Sequence, residues 1–171
     1  MSVPRQNDAA SAEPADEVRL RQTVEADLDT LFEHQADPEA ARMAGFPSRD
    51  RPTFFAHWTG LLADPSVVKE TVLLDGEVAG SLVCFGAEGA REVGYWIGRE
   101  FWGRRVATRS LRLFLERMRD RPLRGFVVPT NVASQQVLLK CGFVPDGEDG
   151  DHLVFVLHAD GISGWRRGGS G

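Results

Sequence analysis

"EVGYWIGREFWGRRVATRSLRLFL", residues 92–115, decides how this 171-residue chain is read. The segment opens as a strand, "REVGYWIG", passes through a tight turn, and continues as an amphipathic helix from about Val106 to Arg119. The helix buries Ala107, Leu111, Phe114 or Leu115, and Met118. Two arginines, Arg104 and Arg105, stand between Gly103 and Ala107 where the helix begins. A helix start leaves backbone N–H groups without intrahelical partners, and the macrodipole adds partial positive charge. Small residues let a phosphate approach those donors, and arginines supply bidentate partners. "WGRRVAT" therefore has the features of a pyrophosphate cradle.

The charge distribution agrees. The chain is acidic overall, at −5 from 20 basic and 25 acidic residues. Nine arginines fall between Arg99 and Arg124, against Glu100, Glu116 and Asp120, so this segment carries +6 and the remainder −11. A basic island on an acidic protein suits a compact anionic ligand rather than nucleic acid. No apolar run approaches the roughly 18–20 residues of a membrane span. Residues 1–17 lack the apolar stretch of a secretory signal and read as a disordered arm, with residues 159–171 as a flexible tail. Cys84 and Cys141 form no CxxC pair, and no Cys/His cluster has zinc-ligand spacing, so no metal site is expected. A cytoplasmic protein is expected. The histidines, His34, His57, His152 and His158, are scattered without a recognisable partner.

Working outward, Val18 and Leu20 alternate with Arg19 and Arg21 as a first strand. Thr23 then caps a helix whose stripe is Val24, Leu28, Leu31 and Phe32. A short helix follows Pro38, and another runs from Pro52 to Leu62. "VVKETVLLDGEVAGSLVCF", residues 67–85, is a hairpin turning at Asp75-Gly76. After the quoted helix come a short strand "LRGFVVP", a helix "TNVASQQVLLKC" capped by Thr130 or Asn131, and a last strand "HLVFVLH". The order implies one α/β domain over 18–158, in which the strands flanking the helix at 106–119 are parallel neighbours.

These segments, with "NVASQQVLLKCGF", resemble the GNAT superfamily of acyl-CoA-dependent N-acyltransferases. "VRLRQTVEADLDTLFEH" and "LLDGEVAGSLVCF" resemble in particular the branch that includes the ribosomal-protein alanine N-acetyltransferases. The resemblance implies the GNAT fold: a mixed central sheet of about six to seven strands, splayed between 91–97 and 123–128 and flanked by helices. Acetyl-CoA is then the cosubstrate, with no metal. Its pantetheine arm would lie along Trp96 and Ile97, and the backbone of Gly103, Arg104, Arg105, Val106, Ala107 and Thr108 would hold the pyrophosphate. Arg104, Arg105 and Arg109 would meet phosphate charge, with Asn131 and Ser134 beside the arm.

Two departures stand out. The family writes the turn as G-x-G-x-A, and the second glycine is Arg105 here. Arginine serves well at negative φ, whereas a requirement for positive φ would weaken cofactor binding. Many members carry a tyrosine four residues after Ser134, where this chain has Leu138; its one tyrosine is Tyr95.

The implied activity is acetyl transfer from acetyl-CoA to a primary amine by direct attack in a ternary complex. Glu92 is the candidate base, acting through water, and Ser134 the candidate donor to the leaving thiol. The acceptor is a protein N-terminus or a small amine such as an antibiotic or polyamine, and a homodimer is compatible with the family. A binding module without catalysis is the rival class. "PDGEDGD", residues 145–151, is read as an acidic loop near the acceptor entrance that favours cationic amines.

Overall fold

Capping and turn chemistry place most of the elements. In the computed structural model, which describes residues 16–89 and 91–159, strand β1 (Val18–Gln22) leads through a 3₁₀ turn (Glu25–Asp27) into α1 (Leu28–Ala36). Helices α2 (Pro38–Ala44) and α3 (Arg51–Ala63) each begin on an aspartate. Asp37 accepts from the amides of Glu39 and Ala40, and Asp50 from that of Thr53, with a proline in each first turn. Strands β2 (Val68–Leu74) and β3 (Glu77–Phe85) turn through Asp75 and Gly76, at φ of 51° and 87°. Two positive φ values in succession suit the right-handed twist of a tight hairpin.

Strand β4 (Arg91–Ile97), a 3₁₀ turn (Arg99–Phe101) and α4 (Val106–Arg117) follow, then β5 (Leu123–Val127), α5 (Val132–Lys140), β6 (Val144–Asp149) and β7 (His152–Leu157). The seven strands lie in the order β1-β2-β3-β4-β5-β7-β6, antiparallel except for β4 with β5. Helix α4 buries Leu111, Phe114 and Leu115 in the main core, which also takes in Leu138 of α5. On the other face, Leu28 and Leu31 of α1 and Phe54 and Trp58 of α3 pack with Val78 and Val83 of β3. Among the described residues, no helix is long and apolar enough to cross a membrane.

Two local expectations change. The segment read as an acidic loop is mostly strand β6, paired to β7 with an irregularity between Pro145 and Glu148. All six of its residues are exposed, so the apolar alternation that marks a half-buried strand is missing. Thr23 is not a helix cap. Its hydroxyl lies 3.1 Å from that of Thr71 and hydrogen-bonds with it, and Val24, assigned to the buried stripe, is 48% exposed.

Asp27, 4% exposed, takes over as the organiser of this corner. Its carboxylate accepts from both Arg21 guanidinium nitrogens at 2.6 and 2.7 Å, from Thr71 Oγ1 at 2.8 Å and from the Val24 amide at 3.1 Å. Burial pushes its pKa up, but the Arg21 bond, with those from Val24 and Thr71, outweighs burial and holds it below the ordinary value. The network ties β1 and β2 to the start of α1. Asp27→Ala is expected to cost about 2–4 kcal/mol in urea unfolding, since it leaves buried donors unpaired. Because the folded pKa lies below the unfolded one of about 3.9, the wild-type contribution is complete above that range. It is lost as pH falls through the folded value, and Asp27→Asn should remove this component of the acid slope.

Candidate active site

The parallel neighbours β4 and β5 pair only at Arg91 with Leu123 and Glu92 with Arg124. Beyond those pairs the strands diverge, although β4 stays paired to β3 as far as Ile97, and β5 to β7 as far as Val127. Two intact half-sheets therefore flank a wedge, and the edge of β4 that faces it has backbone groups without a strand partner. A cavity of about 390 Å³ fills the wedge.

Tyr95, Trp96 and Ile97 of β4 form one wall of the cavity. Gly103, Arg105, Val106, Ala107 and Thr108 form its floor, at the turn and the start of α4. Asn131, Ala133, Ser134, Val137 and Lys140 of α5 face them, and Ala40, Met43 and Ala44 of α2 close the far end with Phe101 and Trp102. The Trp102 indole N–H donates to the Ile97 carbonyl at 2.9 Å, and that of Trp96 to the His34 carbonyl at 3.1 Å, so both rings are fixed. Strand β3 crosses close behind: a Cβ on Gly80 would lie 2.1 Å from the Trp96 carbonyl oxygen.

The turn answers the question posed by Arg105. It sits at φ 59°, ψ 21°, in the left-handed region, and Gly103 has φ 77°. A non-glycine residue there costs roughly 1–2 kcal/mol. The strain leaves the Arg105 backbone N–H in place, and its carbonyl accepts the Arg109 amide at 3.0 Å, the bond that starts α4. The amides of Val106, Ala107 and Thr108 are thereby left at an open helix start, on the cavity floor. A Cβ on Gly103 would meet nothing within 4 Å, so glycine serves the φ angle there rather than a shortage of space.

Nine of the twelve expected site residues line one cavity: Trp96, Ile97, Gly103, Arg105, Val106, Ala107, Thr108, Asn131 and Ser134. Arg104, Arg109 and Glu92 do not. Arg104 is held by the Asp16 carboxylate through contacts of 2.8 and 2.9 Å, and Arg109 donates to the Asp16 carbonyl. The left-handed residue turns Arg105 toward the cavity, while its neighbour Arg104 points away to Asp16. Glu92 stands at the closed end of the wedge, roughly 10 Å along the strand from Tyr95. Alternation puts it on the same face as Trp96, toward α1 rather than α4.

Three further residues contribute that the sequence alone did not single out. The Tyr95 phenol lies 2.7 Å from Ser134 Oγ. Lys140 joins Arg105 as the second cation of a lining that contains no carboxylate. His34, expected to have no partner, is buried with Nε2 3.2 Å from Glu100, behind Phe101. Burial lowers its pKa, against the pull of Glu100, and so favours neutral imidazole. Asn131 uses its side chain as the α5 cap, accepting the Ser134 amide at 3.1 Å. Leu138, at the position of the family tyrosine, is buried against Gly125 instead of facing the cavity.

Residues 17–144 match the family described as the acetyltransferase (GNAT) domain. A search of curated proteins found no match. Among solved structures, the chain is similar to aminoglycoside acetyltransferase AAC(6')-Ib in complex with coenzyme A and kanamycin. The TM-score is 0.73 at 19% identity, over 86% of this chain and 98% of that one. It is also similar to Mycobacterium smegmatis RimJ in complex with CoA-disulfide, with a TM-score of 0.70 at 22% identity, over 87% and 85%. A domain from Methanocaldococcus jannaschii DSM 2661 gives a TM-score of 0.72 at 16% identity, over 84% and 99%. At these identities the structural likenesses speak for the fold. With the family match spanning β1 to the start of β6, the chain belongs to the GNAT acetyltransferase family.

Proposed function

We propose that the chain transfers an acetyl group from acetyl-CoA to a primary amine, by direct attack while both are bound. The observation that carries this reading is the wedge itself, with its open strand edge on one side and the α4 amides at its floor. A pantetheine arm contains amides that can pair with the free edge of β4, as an added strand does. The diphosphate then meets the α4 amides, where helix ends favour anions. Arg105 and Lys140, the two cations of the lining, have no ion-pair partner among the described residues, and the phosphates supply one.

The thioester end of that path lies near Ser134, whose hydroxyl hydrogen-bonds the sulfur as the C–S bond breaks. A backbone N–H near Trp96 or Ile97 polarises the carbonyl. Glu92 remains the proposed base. Its face of β4 is the α1 side, so the acceptor amine arrives from that side and its proton crosses to Glu92 through water. Amines with reference pKa values of about 8 to 10.4 are largely protonated at neutral pH, which gives a base a task.

For the acceptor, the β6–β7 turn lies beside the open end of the wedge, because Leu153 pairs with Val127. Asp146, Glu148, Asp149 and Asp151 are exposed there, and none makes an ion pair among the described residues. Such a field favours cationic amines. The structural relatives include an aminoglycoside acetyltransferase in complex with kanamycin, which supports a small cationic amine as the acceptor; a protein N-terminus is the alternative.

Thiol release from acetyl-CoA in the presence of a panel of amines and N-terminal peptides tests the proposal. Steady release with a cationic amine is expected, and binding without release would leave a cofactor-binding module. Arg105→Gly is expected to weaken acetyl-CoA binding roughly five- to tenfold in calorimetry, through loss of a charge-assisted contact. The backbone strain is shared by free and loaded states and cancels from the affinity, so tighter binding would mean that the turn is rebuilt on loading. Glu92→Gln should lower kcat near neutral pH without changing acetyl-CoA affinity, and kcat should recover as pH rises and the amine loses its proton unaided. Unchanged turnover would remove Glu92 from the mechanism.

A further inference from the structure

Tyr95 and Ser134 come from opposite walls of the cavity, one from β4 and one from the first turn of α5. Their oxygens are 2.7 Å apart, and the phenol oxygen is also 3.2 Å from the Ser134 carbonyl. The Ser134 backbone is itself fixed, since its amide donates to the Asn131 cap at 3.1 Å. The phenol thus holds a serine that is already anchored on the other side. These two contacts of the phenol are the hydrogen bonds between β4 and α5 among the described residues.

We infer that Tyr95 is a positioning residue for the transfer step, acting through Ser134 to aim its hydroxyl hydrogen at the departing sulfur. This rests on the acetyltransferase reading above. A serine hydroxyl has one hydrogen to give and two lone pairs to receive. In the free protein the phenol can give its hydrogen to the Ser134 carbonyl and receive that of Oγ; with a sulfur in the cavity, a phenol that donates to Oγ instead leaves the single serine hydrogen free for it. Burial raises the Tyr95 pKa above its ordinary value of 10, so the phenol keeps its hydrogen throughout any practical assay range. As negative charge grows on sulfur, the Tyr95 to Ser134 to sulfur chain polarises in one direction, and each bond strengthens the next.

The step balances without a net proton from either hydroxyl. The amine nitrogen forms a bond to the acetyl carbon, and the C–S bond breaks with its electron pair remaining on sulfur. The proton lost by the amine, carried by Glu92 or water, ends on the thiol. Tyr95 and Ser134 return to their starting state.

Tyr95→Phe keeps the ring that packs against the core and removes only the hydroxyl. With wild type, Tyr95→Phe, Ser134→Ala and the double variant, steady-state thiol release and thermal midpoints are measured together. Tyr95→Phe should lower kcat roughly tenfold, with KM for acetyl-CoA and the thermal midpoint unchanged. The double variant should be no slower than Ser134→Ala alone, because two residues acting as one unit do not multiply. Full kcat in Tyr95→Phe would overturn the inference, as would losses that multiply in the double variant. A change confined to KM or to the thermal midpoint would overturn it too, and would mark Tyr95 as a packing residue. A wild type that releases no thiol with any amine overturns the acetyltransferase reading itself, a result seen before any variant is made.

Discussion

Two pairs of residues hold β4 to β5, and the rest of the site depends on there being no more. A continuous parallel ladder would satisfy every backbone group along both strands and close the wedge. Instead β4 follows β3 and β5 follows β7 past the second pair, so the sheet keeps its outer ladders while opening in the middle. Backbone N–H and C=O groups left along such an edge are costly unless water or a ligand pairs with them. The opening is therefore both a structural cost and a binding surface. Its position fixes where α4 begins, because the crossover from β4 to β5 must pass over it.

Charge is arranged around that opening in two layers. Inside, Arg105 and Lys140 face the cavity with no carboxylate in the lining. Outside, Asp16 takes up Arg104 and Arg109, and Asp75 lies 3.7 Å from Arg104. The basic segment is thus divided, one part turned inward and one part pairing the first strand's approach to the helix start. Asp75 also accepts the Glu17 amide at 2.7 Å, which links the chain before β1 to the β2–β3 hairpin. These exposed pairs each contribute little to stability, but they set which arginine is left for a ligand.

The sequence carried the frame because its signals there are local. Gly103 before an amphipathic stripe, Asp75-Gly76 between apolar runs and Asn131 ahead of α5 each specify their own few residues. Seven of the nine site residues in the cavity belong to the same strand, turn and helix, whereas Asn131 and Ser134, on α5, came from the family resemblance. What escaped depended on partners far away or on backbone phase. Asp16 lies 88 residues from Arg104, and Tyr95 lies 39 from Ser134, so neither pairing is written in spacing. Whether Arg104 or Arg105 faces the cavity turns on a single left-handed residue, at a position where the residue type favours the opposite region. Strand β6 was hidden for a different reason: with both faces in solvent, "PDGED" needs no apolar residue and reads as a turn.

Amide hydrogen exchange with and without coenzyme A tests the wedge most directly. If the arm pairs with the open edge and the diphosphate sits on the helix start, added coenzyme A slows exchange at residues 94–97 of β4 and 103–108 of the turn. Amides of β1 and β6, at the sheet's outer edges, should keep their rates. Slowed exchange elsewhere, with these two segments unchanged, would contradict the account and place the cofactor outside the β4–β5 opening.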